Sequence, residues 1–501
     1  MPHSSAIRIK QATKLFAAFP LVLLAACGGD STYPAPGSAG VADSETTTTV
    51  TTVRSSETDQ KLKVAIDSVT DYDELKLPVD GDYDALPLNA SNPISDLQVE
   101  LGRQIFHDTL FAVDSREASR AGSYSCASCH HVQAGFKSGV AQGVGDGGIG
   151  FGLLGEARLA DQEVLTRAAT DSQLFPDVQD IASPTILNSA YQEVMLWNGQ
   201  FGNDQTGMLI NASIDPERLA TEDTPKAFNN RELPGLETQA MAGMGVHRLR
   251  IDPQALASHP EYLELFSKTY PNEFADPEAV LEADPDTLLL LSAKAVANYE
   301  RTVLANEAPF QKWLRGDLAA MSERQKEGAA LFFGKAGCAD CHRGPALSSE
   351  VGAPADEIFF AVGFADLVQD DIFVVGEIKE ATKKGRGGFT GVAEDNYKFK
   401  VPPLYNLRDS GFLGHGSSFS SVAEVVQYKN RGIAQNQLSV AQLDERFRPL
   451  GLDTREEELL TEFIAEALYD PELIRHVPTQ VISGFCFPVN DSASRLDLGC
   501  D

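Results

Sequence analysis

Cys126-Ala127-Ser128-Cys129-His130 is one of two copies of the same pattern, and the other copy is Cys338-Ala339-Asp340-Cys341-His342. Cys-x-x-Cys-His is the pattern by which a chain captures c-type haem. The two thiols add across the haem vinyl groups, and the histidine that follows reaches the iron as its proximal ligand. A thioredoxin-like redox pair or a zinc site is the alternative, although zinc would require a second ligand pair close by. The repeat therefore predicts two covalently bound haem c groups, with His130 and His342 as proximal ligands.

The composition is that of a globular and strongly acidic chain. A length of 501 residues suggests roughly two to three domains, and 43% of the residues are hydrophobic. The formal net charge of −31 argues against binding to nucleic acid or to anionic lipid surfaces. Such a charge would suit a basic redox partner, and plain solubility is the alternative explanation.

The N-terminus has the features of an export signal, with basic residues before the apolar run Leu15–Ala26. That run is too short for a transmembrane helix. It ends in Leu24-Ala25-Ala26-Cys27-Gly28, which resembles the bacterial lipobox. We therefore expect a lipoprotein signal peptide over residues 1–26 and a lipid on Cys27. The protein is then expected in the cell envelope, facing the periplasm and anchored to the outer membrane. Plain secretion is the alternative.

Two cysteines of the seven remain once the haem motifs and Cys27 are set aside. Cys486 and Cys500 lie near the C-terminus, and a disulfide between them is the simplest expectation in an oxidising compartment. Two free thiols are the alternative that the sequence leaves open.

The rest of the chain is predicted to be mainly helical. Residues 27–90 are expected to form a flexible tether and N-terminal extension, because Gly, Ser, Thr and Pro dominate their first half. Leu97, Leu101 and Ile105 then recur at helical spacing, which places the first folded unit near Ser91. Further helices are predicted over 236–244, 286–304 and 454–468, the last with a capping box of Thr454 and Glu457, and a short hairpin is expected within 357–401.

Several stretches together resemble the bacterial di-haem cytochrome c peroxidase family, which includes the MauG-like enzymes. They are Leu101–Phe106, Pro184–Asn188 with Trp197, Leu236–Ala240, Phe310–Asp317, and Phe399–Leu404. The resemblance implies a mainly α fold in which two cytochrome c-type haem domains face each other, with few short strands. The expected units are an N-terminal domain over 91–305 with the peroxidatic haem, a C-terminal domain over 306–480 with the electron-transfer haem, and an irregular tail over 481–501.

The resemblance also implies roles for two residues near haem one, the N-terminal haem. Trp197 matches the family tryptophan between the haems and is a candidate electron bridge, with a buried core tryptophan as the alternative. Gln239 matches a glutamine of the distal pocket, where an ordinary surface amide is the alternative.

One departure from the family pattern concerns the distal acid–base. Many relatives use a glutamate ten residues after that glutamine, but Leu249 occupies the position here. His247 lies close by and is our candidate, because a pocket imidazole can move a proton between the two oxygens of peroxide. A structural histidine is the alternative.

A second departure concerns access to haem one. Some relatives block this haem with a loop histidine, but the sequence has no histidine between His131 and His247. We therefore expect an open or water-bound iron, unless Met195 or Met208 blocks it.

The far ligand of haem two is Met or Tyr in relatives, and the last methionine here, Met321, precedes the second motif. Tyr397 is the first candidate and His415 the second. A tyrosinate would lower the haem potential, whereas Met raises it. The resemblance also implies an interdomain Ca2+, although Ala182 stands where relatives often place a ligating Asn.

The sequence thus predicts a peroxidase that reduces hydrogen peroxide to water with electrons from a small cytochrome c or a cupredoxin. A MauG-like or oxygenase-type enzyme acting on a protein or organic substrate is one alternative, and a non-enzymatic electron carrier is another. The oligomeric state is left open, a homodimer included.

Overall fold

The computed structural model describes residues 55–87, 92–202, 233–370 and 373–500. The predicted signal peptide, Cys27, Met208 and the tether before residue 55 lie outside the described residues. Within them, no helix is both long and apolar enough to cross a membrane. The residues from Val53 to Asp501 pack into a single compact unit.

Helices form most of the regular structure, and the strands are short. The helices of the described residues are α1 Glu57–Asp67, α2 Asp96–His107, α3 Gln162–Ala168, α4 Gly235–Val246, α5 Pro253–Ala257, α6 Pro260–Thr269, α7 Pro285–Thr302, α8 Pro309–Leu314, α9 Glu323–Phe333, α10 Glu380–Lys383, α11 Arg386–Thr390, α12 Val422–Arg431, α13 Thr454–Glu462 and α14 Ser492–Asp497. The strands are β1 Gly148–Ile149, β2 Leu159–Ala160, β3 Phe359–Phe360 and β4 Phe399–Lys400. β1 pairs antiparallel with β2, and β3 pairs antiparallel with β4.

The N-terminal half is built on the contact between α2 and α7. Gly102 of α2 faces the backbone of α7 so closely that a Cβ atom there would lie 2.0 Å from the carbonyl oxygen of Ala295. Only glycine permits this approach. α4 also packs on α7, through a buried ion pair in which Glu237 of α4 and Arg301 of α7 are 2.7 Å apart.

The C-terminal half repeats this arrangement. Gly328 of α9 faces α13, and a Cβ atom there would lie 2.0 Å from the carbonyl oxygen of Leu459. α13 continues as one π-helical turn over Phe463–Ala467. Each haem motif therefore follows a helix whose glycine contacts the backbone of a later helix.

The extension predicted over residues 27–90 is wrong for residues 57–67, which form α1. Leu62 and Ile66 are fully buried, so the helix belongs to the folded body. Asp59 is also buried, where it accepts hydrogen bonds from Trp313 Nε1 at 2.7 Å and from Lys326 Nζ at 2.9 Å. These apolar and charged contacts offset the entropy cost of ordering the segment.

Two smaller predictions also need correction. The capping box of α13 is formed by Asp453 and Glu456, one residue earlier than predicted. The residues over 357–401 are not a hairpin, because α10 and α11 lie between the paired strands β3 and β4.

The C-terminal tail over 481–501 is ordered rather than irregular. It contains α14, and the predicted Cys486–Cys500 disulfide is confirmed. The hydroxyls of Ser125 and Ser128 both donate to the carbonyl oxygen of Pro488, at 2.9 and 2.8 Å. These two hydrogen bonds thus hold the turn of the first haem motif against the tail.

Asp59→Ala should lower the free energy of unfolding by about 2 kcal/mol, because it removes one of the two carboxylates that pair with Lys326 and leaves the buried indole N–H of Trp313 unpaired. Urea unfolding followed by circular dichroism measures the change. Lys61→Ala, in an exposed pair with Glu57, should cost less than about 0.5 kcal/mol. Equal effects of the two substitutions would contradict the buried contact.

The same ion pair should be sensitive to acid. Burial alone would raise the pKa of Asp59, but hydrogen bonds from the Ser56 backbone, Trp313 and Lys326 lower it to about 2. The carboxyl of the unfolded chain keeps its ordinary, higher pKa, so the contribution is complete above that value. It is then lost as the pH falls towards 2.

Candidate functional site

The first haem motif lines a cavity of about 350 Å³. Cys126–Ser128 form a tight 3-10 turn, and the amide of His130 donates to the carbonyl of Cys126 at 3.1 Å. This turn places both thiols and the His130 imidazole on the cavity wall. The ring of Phe106, four residues after Gly102, lies 6.5 Å from that imidazole.

The second motif lines a cavity of about 410 Å³ in the same way. Cys338–Asp340 form the turn, and His342 Nδ1 lies 2.9 Å from the carbonyl oxygen of Leu347. That bond fixes the tautomer and leaves Nε2 as the metal-binding nitrogen. Phe332, four residues after Gly328, lies 6.4 Å from this imidazole.

Burial keeps both imidazoles neutral, as an iron ligand must be. It lowers the pKa of His130 to about 4, with His247 contributing in the same direction. It also lowers the pKa of His342 to about 4, and Lys429 contributes there. His247 lines the first cavity together with His130, and Lys429 lines the second cavity together with His342.

The residues present fit c-type haem at both cavities. Each cavity offers two thiols and one neutral imidazole, and the four motif cysteines are free rather than paired in disulfides. Nδ1 of His130 is buried without a hydrogen-bond partner among the described residues. Both volumes lie in the range of ligand-binding cavities, roughly 300–1,000 Å³.

The three residues predicted to act at haem one all line the first cavity. Gln239 lies on α4, His247 caps the end of that helix, and Trp197 comes from the preceding irregular segment. Leu249, which stands in place of the family glutamate, lines the same cavity, as does Met195. The structure thus brings the predicted distal residues together around one space.

Asp177 is a residue of this site that the sequence reasoning missed. Its Oδ2 lies 2.8 Å from His247 Nδ1, and its side chain is only 5% exposed. A carboxylate on Nδ1 holds the imidazole orientation and leaves Nε2 to exchange a proton. Asp177 lies 70 residues before His247 in an irregular stretch, so no local spacing in the sequence links the two.

Two further buried ionisable groups line the first cavity. Burial raises the pKa of Glu300 to about 8, and it lowers the pKa of Lys400 to about 7. Oε2 of Glu300 has no hydrogen-bond partner among the described residues, while Lys400 donates to Gln192. Neither group was predicted from the sequence.

Neither candidate for the far ligand of haem two lies on the wall of the second cavity. The amide of Tyr397 donates to Lys384 in a turn, at 2.8 Å. His415 stacks on Phe399 with ring centroids 3.6 Å apart, and its Nε2 lies 3.1 Å from Asp366 Oδ1. The geometry therefore favours neither residue as an iron ligand.

His415 instead belongs to a run of ring contacts between the two cavities' walls. Its ring lies 6.1 Å from Trp197, which lines the first cavity, and 6.5 Å from Phe364. The Lys429 ammonium lies 5.1 Å from the Phe364 ring centroid and lines the second cavity. These contacts connect one cavity wall to the other.

The predicted Ca2+ stays a prediction. The described residues contain no group of three or more His, Cys, Asp or Glu side chains placed to hold a metal ion. The carbonyl oxygen of Ala182 accepts a hydrogen bond from Trp197 Nε1 at 2.8 Å.

Comparison with known proteins identifies the family. A family model described as "Di-haem cytochrome c peroxidase" matches residues 96–319. The chain is 28% identical over 422 residues to cytochrome-c peroxidase IdrP1 of Denitromonas iodatirespirans, covering 80% of this chain and 89% of that protein. It is 25% identical over 393 residues to methylamine utilization protein MauG of Methylorubrum extorquens, covering 78% and 84%. The chain is thus similar to the di-haem cytochrome c peroxidase family.

A solved structure agrees with this assignment at the level of the fold. It is a MauG-like protein associated with microbial copper homeostasis, with a TM-score of 0.52 and 19% identity, covering 79% of this chain and 96% of that one. The predicted resemblance, the mainly α fold and the class of enzyme, a cytochrome c peroxidase-type oxidoreductase, are thereby confirmed. Similarity to this family implies haem c cofactors.

Proposed function

We propose that this di-haem peroxidase reduces hydrogen peroxide to water at the first cavity. The reaction consumes one peroxide, two electrons and two protons and gives two waters. The single observation that supports the proposal is the His247–Asp177 pair on the wall of the cavity that holds His130. A proton-transfer group on this wall would be able to act on peroxide bound in the cavity.

The chain's own residues would hold the cofactors and move the protons. Cys126 and Cys129 would bind one haem, with His130 as proximal ligand. Cys338 and Cys341 would bind the other haem, with His342 as proximal ligand. When bound, the haem iron supplies the redox chemistry that breaks the O–O bond.

His247 is the proposed acid–base of the peroxide reaction. Its Nε2 would take a proton from the near oxygen of peroxide and return it to the far oxygen, which leaves as water. Asp177 would accept the Nδ1–H bond and stabilise the imidazole while it carries the extra proton. Gln239, on the same helix, would orient the peroxide by hydrogen bonding.

Trp197 is the proposed bridge for electrons between the cavities. Its support is the run of ring contacts through His415 and Phe364 to the wall of the second cavity. A small cytochrome c or a cupredoxin would supply the electrons, and the acidic chain would attract a basic donor.

We further propose that the protein is exported and anchored to the outer membrane through a lipid on Cys27. The lipobox-like sequence supports this step. Membrane fractionation of the full chain and of Cys27→Ser tests it, and an unchanged membrane fraction for the variant would count against it.

The proposal requires two covalent haems and an iron that accepts peroxide. Purified holoprotein should show two haems per chain by pyridine haemochrome, a high-spin ferric signal, and peroxide turnover with a reduced cytochrome or cupredoxin. Haem that extracts into acidic acetone, or an absence of turnover with either donor, would contradict it. Two low-spin signals would indicate the electron carrier, and turnover only with an organic or protein substrate would indicate the MauG-like alternative.

His247→Ala should lower kcat/KM for peroxide by roughly 100-fold or more, because the proton-transfer group is lost. Asp177→Asn should lower it by about 10-fold to 100-fold, since the imidazole loses its orientation. Steady-state kinetics measures both values. His259→Gln, which changes a histidine that does not line the cavity, should leave kcat/KM unchanged.

Trp197→Phe should slow donor-supported turnover while the rate of the first reaction with peroxide stays the same. Stopped-flow mixing with peroxide and turnover with reduced donor separate the two steps. Trp313→Phe, which changes a tryptophan that lines neither cavity, is the matched control. Equal turnover of Trp197→Phe and the wild type would rule out the bridge.

A further inference from the structure

The second cavity has an unexpected residue on one wall. Four residues of α12 line this cavity, and they lie on one face of the helix because their spacing is i, i+3, i+4 and i+7. They are Val422, Val425, Val426 and Lys429. Three of the four are apolar, so a lysine stands where the pattern calls for a fourth apolar side chain.

The Lys429 ammonium lies near two aromatic rings, and the charge of Asp444 also acts on it. It lies 5.1 Å from the ring centroid of Phe364 and 5.3 Å from that of Phe447. Among the described residues, no carboxylate lies within salt-bridge distance of it.

Three other charged groups that line this cavity have partners. Lys335 Nζ lies 2.5 Å from Glu456, and Asp444 pairs with Arg446 at 2.8 Å. Lys429 is therefore the amine on this wall that has no charged partner among the described residues. A buried cation without a partner is costly, so a role towards the bound group would explain it.

We propose that Lys429 supplies its amine nitrogen as the far ligand of haem two, opposite His342. The inference rests on the proposed function only in requiring haem at the second motif. Lys429 takes the place of Tyr397 and His415 as the candidate ligand, because neither of those residues lines the cavity. An amine binds iron only when deprotonated, and an apolar wall favours that neutral form.

The rival role for Lys429 is an ion pair with a haem propionate. Lys429 lines the same cavity as Cys338, Cys341 and His342. Exchange of Lys429 to arginine separates the two roles, because a guanidinium can pair with a propionate but does not bind iron.

An amine ligand would give haem two a distinct redox character. A thioether ligand raises the potential, whereas a harder nitrogen donor favours the ferric state. Haem two would thus sit at a lower potential than in a Met-ligated protein.

The test compares ferric EPR and near-infrared magnetic circular dichroism of the full holoprotein and its Lys429→Arg variant. Arginine keeps the positive charge and any propionate pairing but cannot coordinate iron. The low-spin signal of haem two should be lost in Lys429→Arg, while the haem-one signals stay as an internal reference. Lys429→Met should restore a low-spin haem two with a thioether charge-transfer band and a higher potential.

Two variants are the matched controls. Lys335→Arg changes a lysine of the same cavity, and Tyr397→Phe removes the earlier candidate, so both should keep the wild-type signal. An unchanged haem-two spectrum in Lys429→Arg would overturn the ligand assignment. Haem content separates this result from failure of the proposed function, since a chain with one haem would overturn both.

Discussion

Each half of the molecule depends on one backbone contact that only glycine permits. Gly102 lets α2 touch the backbone of α7, and Gly328 lets α9 touch α13. Phe106 and Phe332, each four residues after its glycine, then face the proximal histidines from the same side of their helices. A side chain at either glycine would separate the helices and move a wall of the haem cavity. The position of the imidazole is therefore set by a contact far from the thiols.

The two cavities are built alike but differ in the polar groups that line them. The first holds an imidazole–carboxylate pair, an amide and two buried ionisable groups, so it can bind a polar substrate and move protons. The second has a largely apolar helical wall with one amine. Two copies of the same unit thus acquire different chemistry through a few side chains on the far side of each cavity.

How much of the fold and the site can be predicted from the sequence depends on how far apart in the chain the contacting residues lie. The haem ligands follow from spacing within five residues, and the long helices follow from periodicity, so both are readable from the sequence. The α1 segment was misjudged because its stability comes from Trp313 and Lys326, more than 250 residues away. Asp177 was missed for the same reason, since an irregular segment brings it to His247. Lys429 did leave a local signal, because it interrupts the apolar face of α12.

Burial explains how the six cysteines in the described part of the chain are divided between free thiols and a disulfide. Burial raises the pKa of Cys126 and Cys338 to about 12, so these thiols stay protonated. The thiolate is the species that attacks a disulfide, and buried thiols therefore exchange slowly. Cys486 and Cys500 lie in the tail, away from both cavities, and they form the disulfide. The same desolvation that keeps the imidazoles neutral thus keeps the motif thiols out of disulfides, so one physical effect prepares the iron ligand and both haem-attaching thiols of each site.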